Sequence, residues 1–256
     1  MGKRWMRFTH NGANGFGLVE GEAVAVCSGD MFGEAKPTSR SLALADIQFD
    51  PPCAPGKMIG LWTNFHARAA KEGLSRPEHP LYFIKTTNCY AAHQAVIRQP
   101  VTYQGPVVFE GELGVVIGKT CRNVSVEAAN GYIFGYTSVN DVTAREVLKR
   151  DPSFTQWSRA KSFDTFGPFG PWIVTGIDPD GLTVRTLVNG EVRQDYPVAD
   201  MFFRPREIVS LLSRDMTLHP GDLIACGTSL GAGALKSGDT VAVAIDGVGT
   251  LSNRFE

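Results

Sequence analysis

Short apolar runs separated by glycine, proline and polar residues dominate the hydrophobicity pattern of this chain. Residues 107–109 and 113–117 are rich in Val and Ile, the composition typical of buried β-strands. Residues 58–61, 81–85 and 135–139 have the same character. The pattern predicts a mixed, mainly β fold with short helices.

Turn signals add two hairpins to these strands. Residues 16–26 carry one hairpin around Glu20-Gly21-Glu22, and Asn189-Gly190 joins residues 182–188 to residues 191–193. An Asn-Gly pair is favoured in such turns because both positions adopt positive φ. Antiparallel strand pairs are therefore expected near both ends of the chain.

Helical signals are few and short. Residues 67–73 have helical composition and stop at a glycine, and residues 206–212 place apolar side chains on one face. Ser125 is a typical N-cap for a further short helix. Two final strands are expected over residues 240–245 and 248–251.

A proline- and glycine-rich stretch over residues 51–56 predicts a linker between two parts of the chain. We expect a small β-rich N-terminal domain over residues 1–54. A larger domain would follow over residues 55–256.

Three carboxylates lie beside apolar segments. Glu110 and Glu112 flank Gly111 next to a predicted strand, and Asp141 follows another strand. Residues i and i+2 of a strand point to the same face, so the two glutamates would project together. With Asp141 as a third ligand they form an oxygen set suited to a hard divalent cation. The alternative is that both glutamates lie on the solvated face of an edge strand.

Four segments resemble, in their order along the chain, the signature of the fumarylacetoacetate hydrolase family. With the strands between them, the resemblance covers roughly residues 57–256. The segments are Phe109-Glu110-Gly111-Glu112-Leu113, Asn140-Asp141-Val142-Thr143-Ala144-Arg145, Gln156 to Pro171, and Gly221-Asp222-Leu223-Ile224 with Gly227-Thr228.

The resemblance implies a β-roll catalytic domain of the fumarylacetoacetate hydrolase type behind the small N-terminal domain. It also implies a divalent metal bound by Glu110, Glu112 and Asp141. Mg²⁺ or Mn²⁺ is expected, and Ca²⁺ takes the same oxygen donors. The substrate would be a small 2-oxo acid, and a homodimer is expected because relatives are commonly dimers.

Two residues match catalytic positions of the family. Lys161 is expected to stabilise negative charge on an enolate bound to the metal. His66 matches the histidine of a His–Glu pair that activates water or guides a proton. The glutamate of that pair would fall on Ala69 and is absent. Glu72 lies six residues after His66, about 240° round a helix, so it could replace that glutamate only from an unwound helix end.

Four residues match substrate-binding positions: Arg145, Gln156, Gly227 and Thr228. If Asp141 opened a helical turn, Arg145 would share its face at i+4 and could bind a substrate carboxylate in bidentate fashion. The alternative is an ion pair within the helix that touches no ligand.

The surroundings of these residues carry three further expectations. Lys85 is either an ordering residue near the site or a surface lysine. Residues 156–161 are expected to be irregular, with Asp164 as a partner for Lys161. Residues 167–171 are predicted to form a rigid turn because they contain two glycines and two prolines.

The resemblance places hydrolysis of a C–C bond in an acylpyruvate or diketo acid first among the reactions. Isomerisation or decarboxylation of a 2-hydroxy-dienedioate or of oxaloacetate is the alternative, and the missing glutamate at Ala69 argues for it because hydrolysis must activate water. A non-catalytic protein that binds a 2-oxo acid is an alternative of another class.

Composition and charge exclude some classes of binding partner. The net charge is −1 and no Lys/Arg tract occurs, so neither nucleic acid nor an anionic membrane is expected. Five scattered cysteines without a C-x-x-C pair argue against a disulfide framework or a zinc site. We see neither an apolar leader nor a stretch of about 20 apolar residues, which favours a cytoplasmic location.

Overall fold

A computed structural model describes residues 2–256 and confirms the mainly β fold. The first part of the chain forms β1 (Arg4–His10), β2 (Ala13–Glu20), β3 (Ala23–Gly29), β4 (Ala35–Ala43) and β5 (Gln48–Phe49). The strands that follow are β6 (Met58–Trp62), β7 (Leu81–Lys85), β8 (Tyr90–Ala91), β9 (Val96–Ile97), β10 (Val107–Phe109), β11 (Gly111–Ile117), β12 (Ile133–Asn140), β13 (Thr143–Ala144), β14 (Gly167–Val174), β15 (Thr183–Val188), β16 (Glu191–Pro197), β17 (Leu223–Ala225), β18 (Gly233–Ala234), β19 (Thr240–Ile245) and β20 (Gly249–Phe255).

Four short α-helices accompany the strands within the described residues: α1 (His66–Glu72), α2 (Val126–Ala129), α3 (Trp157–Lys161) and α4 (Pro205–Asp215). Two predicted helix ends are confirmed. Gly73 caps α1 in the left-handed conformation at φ 68°, and the Ser125 hydroxyl accepts the N–H of Ala128 at the start of α2.

The strands form three sheets. The largest has the order β4-β3-β2-β1-β14-β12-β11-β17-β6-β7, with β5 and β8 attached at its side. A second sheet has the order β13-β10-β18, and a third has the order β16-β15-β19-β20-β9. The predicted hairpins β2–β3 and β15–β16 are both confirmed.

The first part of the chain is continuous with the main sheet. Strand β1 pairs antiparallel with β14, matching Arg4 with Val174 and Trp5 with Ile173. The division into domains at residues 54 and 55 stays a prediction, because one sheet runs through both parts.

Strand β11 lies in the middle of the core. Leu113, Val115 and Ile117 face α4 and the third sheet, while Val116 packs on the opposite side with Phe169 of β14. Every residue of β11 is buried, because both faces of the sheet are covered there. This burial explains its uninterrupted aliphatic run.

Asp141 does not open a helical turn, so the condition for it to share a face with Arg145 is not met. Residues 141–142 connect β12 to β13, and Val107 and Val108 of β10 pair with Ala144 and Thr143. Strand pairing prevails over the local i,i+4 spacing, so Arg145 does not lie on a helical face with Asp141.

Two local predictions are wrong. Residues 157–161 form α3 rather than an irregular segment. Residues 167–171 open β14 rather than a turn, because β8 pairs with Gly167 and Pro168 and β12 pairs with Phe169 and Gly170. Tertiary pairing overrides the turn preference of its glycines and prolines.

All five cysteines are buried free thiols. In residues 2–256, none of the helices has the length and apolar character needed to cross a bilayer.

Candidate metal centre

The three carboxylates meet at a corner where two chain segments change sheets. Glu110 lies between β10 and β11, and Asp141 lies between β12 and β13. The segments bind each other, because the Asp141 N–H donates to the Glu110 carbonyl at 2.8 Å. The Glu110 N–H donates in turn to the Asn140 side-chain oxygen at 3.0 Å. Sheet pairing therefore brings together residues 30 positions apart.

The carboxylate oxygens converge as the sequence predicted. Glu110, Glu112 and Asp141 each present one oxygen, and these oxygens all lie within 4.8 Å of one another. Glu112 and Asp141 are each 1% exposed. Strand β11 lies between β12 and β17 inside the sheet, which contradicts the alternative of a solvated edge strand.

Two buried lysines neutralise part of this charge. The Lys161 ammonium, on the last residue of α3, donates to Glu110 Oε2 at 2.5 Å and also to Asp141 Oδ2. The Lys85 ammonium, on the last residue of β7, donates to Asp141 Oδ1 at 2.6 Å. Lys85 is fully buried, so the alternative of a surface lysine is wrong. Asp164 does not partner Lys161, since it accepts from Asn88 at 2.7 Å instead.

The two lysines give the buried carboxylates different pKa values. Burial alone would raise the pKa of Asp141, but the Lys161 and Lys85 ammonium groups outweigh it and lower that pKa below the ordinary value. Burial raises the pKa of Glu112 well above the ordinary value, and the negative charges of Asp141 and Glu110 raise it further. Asp141 and Glu110 in turn raise the pKa of Lys161 despite its burial. Lys161 is therefore held as a cation.

Gly111 allows the corner to pack tightly against the third sheet. A Cβ at this position would lie 1.9 Å from the Thr186 hydroxyl oxygen on β15. The Gly111 N–H donates to the Gln194 side-chain oxygen at 3.0 Å, and Tyr196 donates its hydroxyl to the Gly111 carbonyl. The glycine between the two glutamates thus fixes their direction through close backbone contacts.

The Gly227-Thr228 turn supports the carboxylates from behind. The Gly227 N–H donates to Glu112 Oε2 at 2.8 Å. The Thr228 hydroxyl donates to the Gly111 carbonyl at 2.9 Å and accepts from Gln194 at 2.8 Å. In this structure both groups form hydrogen bonds to other protein groups, and their contact with substrate stays a prediction.

A cavity of about 430 Å³ opens onto Glu110. Its cationic lining residues are Arg68, Lys71 and Arg145, and its acids are Glu72 and Glu110. The remaining wall comes from Val108, Thr143, Leu148 and residues 229–232. The cavity combines charge of both signs with an apolar side, as expected for a site that binds a small organic anion.

Of the predicted substrate-binding residues Arg145 and Gln156, only Arg145 lines the cavity. Arg145 is exposed, lines the cavity and makes no ion pair within residues 2–256. Gln156 precedes α3, and its backbone N–H donates to the Leu148 carbonyl at 3.0 Å. The cavity wall does not include Gln156, whose role in binding stays a prediction.

Helix α1 presents a different side chain to the site from the one predicted. The exposed ring of His66 lies 4.1 Å from the ring of Phe202, measured between centroids. Arg68, one helical position before Ala69, reaches Glu110 Oε1 at 3.4 Å and Glu72 Oε1 at 3.0 Å. Glu72 lines the cavity from a regular helix, without any unwinding.

Arg68 is the functional candidate that the sequence analysis missed. The only local signal was its i,i+4 spacing from Glu72, which is common on exposed helices. Its contact with Glu110 depends on how α1 lies against the corner, which no local pattern encodes.

The donor set fits a hard divalent cation. Three carboxylates supply only oxygen ligands, and their buried oxygens are close enough to share one ion. Lys161 and Lys85 leave this group with a formal charge of −1 when all three carboxylates are ionised. Mg²⁺, Mn²⁺ or Ca²⁺ would compensate that charge.

Comparisons with protein families match nearly the whole chain. Residues 57–256 match the family model described as fumarylacetoacetate (FAA) hydrolase C-terminal, and residues 3–52 match the model described as Rv2993c-like, N-terminal.

Two relatives in sequence cover most of the chain. Protein Rv2993c of Mycobacterium tuberculosis is 42% identical over 225 residues, covering 87% of this chain and 83% of that protein. Oxaloacetate tautomerase YisK of Bacillus subtilis is 38% identical over 227 residues, covering 83% and 74%.

Two crystal structures have related folds and differ in the reactions that their names state. The 2-hydroxyhepta-2,4-diene-1,7-dioate isomerase of Mycobacterium marinum is 38% identical with a TM-score of 0.90, covering 99% of this chain and 98% of that one. The fumarylpyruvate hydrolase of Pseudomonas aeruginosa, solved with Mn²⁺ and pyruvate, is 28% identical with a TM-score of 0.73, covering 85% and 92%.

Proposed function

Because the chain belongs to the fumarylacetoacetate hydrolase family, we propose that it is a divalent-metal-dependent enzyme acting on a small 2-oxo acid. The observation that carries this proposal is the convergence of Glu110, Glu112 and Asp141 within 4.8 Å beside a cationic Lys161. The chain retains all three carboxylates and Lys161, which argues against a degenerate relative that only binds a 2-oxo acid.

Glu110, Glu112 and Asp141 would hold the ion, with Mg²⁺ or Mn²⁺ as the proposed choice. A bound divalent ion supplies a Lewis acid and a template for a carboxylate next to a keto oxygen. Lys161 carries a fixed positive charge at the same place, so it would stabilise negative charge on the substrate oxygen as that charge develops. Lys85 keeps Asp141 ionised and oriented.

Arg145 would bind the carboxylate of the substrate. It lines the cavity, is exposed and has no acidic partner in residues 2–256, so its guanidinium is available to a ligand. A planar guanidinium matches a carboxylate in bidentate geometry.

Among the reactions of the family, we favour isomerisation or keto–enol tautomerisation over hydrolysis. Such a reaction returns the proton that it removes and consumes no water, so the absence of a glutamate at Ala69 and the absence of His66 from the cavity wall matter less. The names of YisK and of the Mycobacterium marinum isomerase support the same choice.

Glu72 is the residue that we assign to the proton transfer. Besides Glu110, it is the one acid that lines the cavity among residues 2–256. Its contact with Arg68 fixes the direction of its carboxylate.

Hydrolysis of a C–C bond is the second candidate. The fumarylpyruvate hydrolase of Pseudomonas aeruginosa supports it, because that structure pairs a hydrolase name with Mn²⁺ and pyruvate on a related fold. Decarboxylation of an oxaloacetate-type acid would use the same cavity.

We also propose that the protein is a homodimer, because members of the family that it resembles are commonly dimers. Light scattering on the purified protein should give twice the mass of one chain, and a single-chain mass at micromolar concentration would contradict it.

A spectrophotometric assay with Mg²⁺ tests the function. Three substrates would be compared: an acylpyruvate, the enol form of oxaloacetate and a 2-hydroxy-dienedioate. We expect turnover of the dienedioate or of the oxaloacetate enol. Glu110→Ala should reduce that turnover about a hundredfold or more, whereas the exposed control Glu34→Ala should leave it unchanged.

Glu72→Gln separates the reactions. It should lower isomerisation about a hundredfold while the protein still binds Mg²⁺, because it removes the base and no metal ligand. If the wild-type protein cleaves the acylpyruvate and turns over neither other substrate, its reaction is hydrolysis instead. No turnover of any substrate by the metal-loaded protein would overturn the enzymatic proposal.

A further inference from the structure

Arg68 occupies the position between α1 and the candidate metal ligands. Its guanidinium lies 3.4 Å from Glu110 Oε1 and 3.0 Å from Glu72 Oε1, and its side chain is 23% exposed. An arginine between two acids at the wall of a cavity can exchange one of its partners for a ligand carboxylate without losing the other.

Both oxygens of Glu110 are in contact with cations in this structure. Lys161 donates to Oε2 at 2.5 Å, and Arg68 contacts Oε1 at 3.4 Å. A divalent ion bound by Glu110 would repel both cations, and the more weakly held of the two would move away. Lys161 is 4% exposed and is also held by Asp141, whereas Arg68 has the longer contact and the more exposed side chain. Arg68 is therefore the group that leaves.

The formal charge of the site indicates which kind of ligand group Arg68 would bind after it leaves Glu110. The three carboxylates and two lysines sum to −1, and a divalent ion changes this to +1. Arg68, Lys71, Arg145 and Glu72 add +2 from the cavity wall, giving +3 in total. A 2-oxo acid with one carboxylate compensates one charge, and a 2-oxo dicarboxylate compensates two.

The cations also come from separate elements. Arg68 and Lys71 belong to α1, whereas Arg145 follows β13, and all three line the same cavity. Two elements can therefore each bind one end of a substrate that carries a carboxylate at both ends.

We propose that Arg68 is a specificity-determining residue that moves from Glu110 to the second carboxylate of a dicarboxylic 2-oxo acid. The inference rests on the proposed function, because it presupposes a metal-bound 2-oxo acid in this cavity. It assigns α1 a role in selecting dianionic substrates.

Calorimetric binding to the Mn²⁺-loaded protein tests the inference with two unreactive probes. These are 2-oxoglutarate, a dianion, and 2-oxopentanoate, which has the same chain length and a methyl group in place of the second carboxylate. Wild-type protein should bind 2-oxoglutarate about ten- to a hundredfold more tightly, the ratio expected for one charge-assisted hydrogen-bonding pair.

Arg68→Met should abolish this preference and leave 2-oxopentanoate binding within about twofold of wild type. The same variant should tighten Mn²⁺ binding by about threefold or more, because it removes a positive charge that competes for Glu110. Arg68→Lys should retain part of the preference. Arg76→Met is the matched control, since Arg76 lies over Phe203 outside the cavity wall and should change neither quantity.

Three results would overturn the inference, and they are distinguishable. Equal binding of both probes by wild-type protein would contradict it while leaving the proposed function intact. Equal loss of both probes in Arg68→Met, with weaker Mn²⁺ binding, would make Arg68 a support for Glu110 only. Failure of wild-type protein to bind either probe with Mn²⁺ in place would contradict the proposed function as well.

Discussion

Single residues of the site have roles that their charge states define. Asp141 has a lowered pKa and two ammonium partners, so it remains a carboxylate throughout the neutral range. Glu112 is buried with one backbone donor, the Gly227 N–H, and has a raised pKa. The same buried corner therefore contains one carboxylate that is held ionised and one whose charge a metal ion would stabilise.

Lys161 provides the sharpest prediction at this scale. Lys161→Met should lower turnover about a hundredfold or more, because the site loses the cation that faces the developing charge. It should also lower the thermal stability of the metal-free protein, since Glu110 and Asp141 lose a buried partner. Thermal unfolding with and without Mg²⁺ measures the second effect, and Mg²⁺ should restore more stability to the variant than to wild type.

The control for that prediction is Lys149→Met, which removes the same charge from an exposed position. It should change neither turnover nor unfolding. Unaltered turnover in Lys161→Met would remove Lys161 from the catalytic site.

At the scale of elements, the site depends on the passage of two segments between sheets. Strands β10 and β11 have only Glu110 between them, and Gly111 starts β11 opposite Asn140 of β12. Gly111 also contacts the third sheet so closely that no side chain fits. The direction of Glu110 and Glu112 therefore depends on three elements packing at one glycine.

Gly111→Ala should destabilise the protein by about 1–3 kcal/mol, the usual cost of overpacking a core. The added Cβ would collide with the Thr186 hydroxyl oxygen at 1.9 Å, so β11 must shift away from β15. Urea unfolding of the single variants and of Gly111→Ala with Thr186→Ala measures the coupling.

Removal of the hydroxyl in Thr186→Ala should recover part of the loss caused by Gly111→Ala. Additive effects of the two substitutions would mean that Thr186 is not the obstacle. Weaker Mg²⁺ binding in Gly111→Ala would accompany the shift, because both neighbouring glutamates move with the backbone.

At the scale of the whole molecule, His93 joins the beginning of the chain to its end. Its Nδ1 accepts the Ser252 N–H of β20 at 3.0 Å, and its ring packs edge-on against Phe49 of β5 with 4.9 Å between centroids. Burial lowers its pKa below the ordinary value of 6.5. Protonation would therefore be easier in the unfolded chain and would remove the hydrogen-bond acceptor from the folded one.

The contribution of His93 to stability should be complete above about pH 6.5 and decline as the pH falls below that value, because the unfolded chain then binds the proton first. His93→Asn keeps an acceptor but cannot titrate, so the loss of stability between about pH 7.5 and pH 5.5 should become smaller. Urea unfolding at the two pH values measures the difference. The exposed control His79→Asn should keep the wild-type dependence, and an unchanged dependence in His93→Asn would exclude this histidine as its source.

Strand content, hairpin positions, helix caps and the three carboxylates could be predicted from the sequence. These features depend on local rules: Gly111 separates two glutamates on one face, and Asn189-Gly190 sets a turn wherever the chain folds. The family resemblance added Lys161 and Arg145. The local predictions at residues 157–161 and at residues 167–171 were wrong, because pairing with distant strands or packing against other elements outweighed their local preference.

The sequence by itself therefore determined which residue types are available at the corner and on which strand faces they lie. Only the tertiary structure decided which distant cations join them: Lys85 at the end of β7, Lys161 at the end of α3 and Arg68 on α1. The physical reason is that the direction of a side chain along a strand is a property of neighbouring residues, whereas the position of an ion pair depends on sheet order and helix packing. The charge of the cavity, and with it the preference for a dianionic substrate that we propose, arises at that second level.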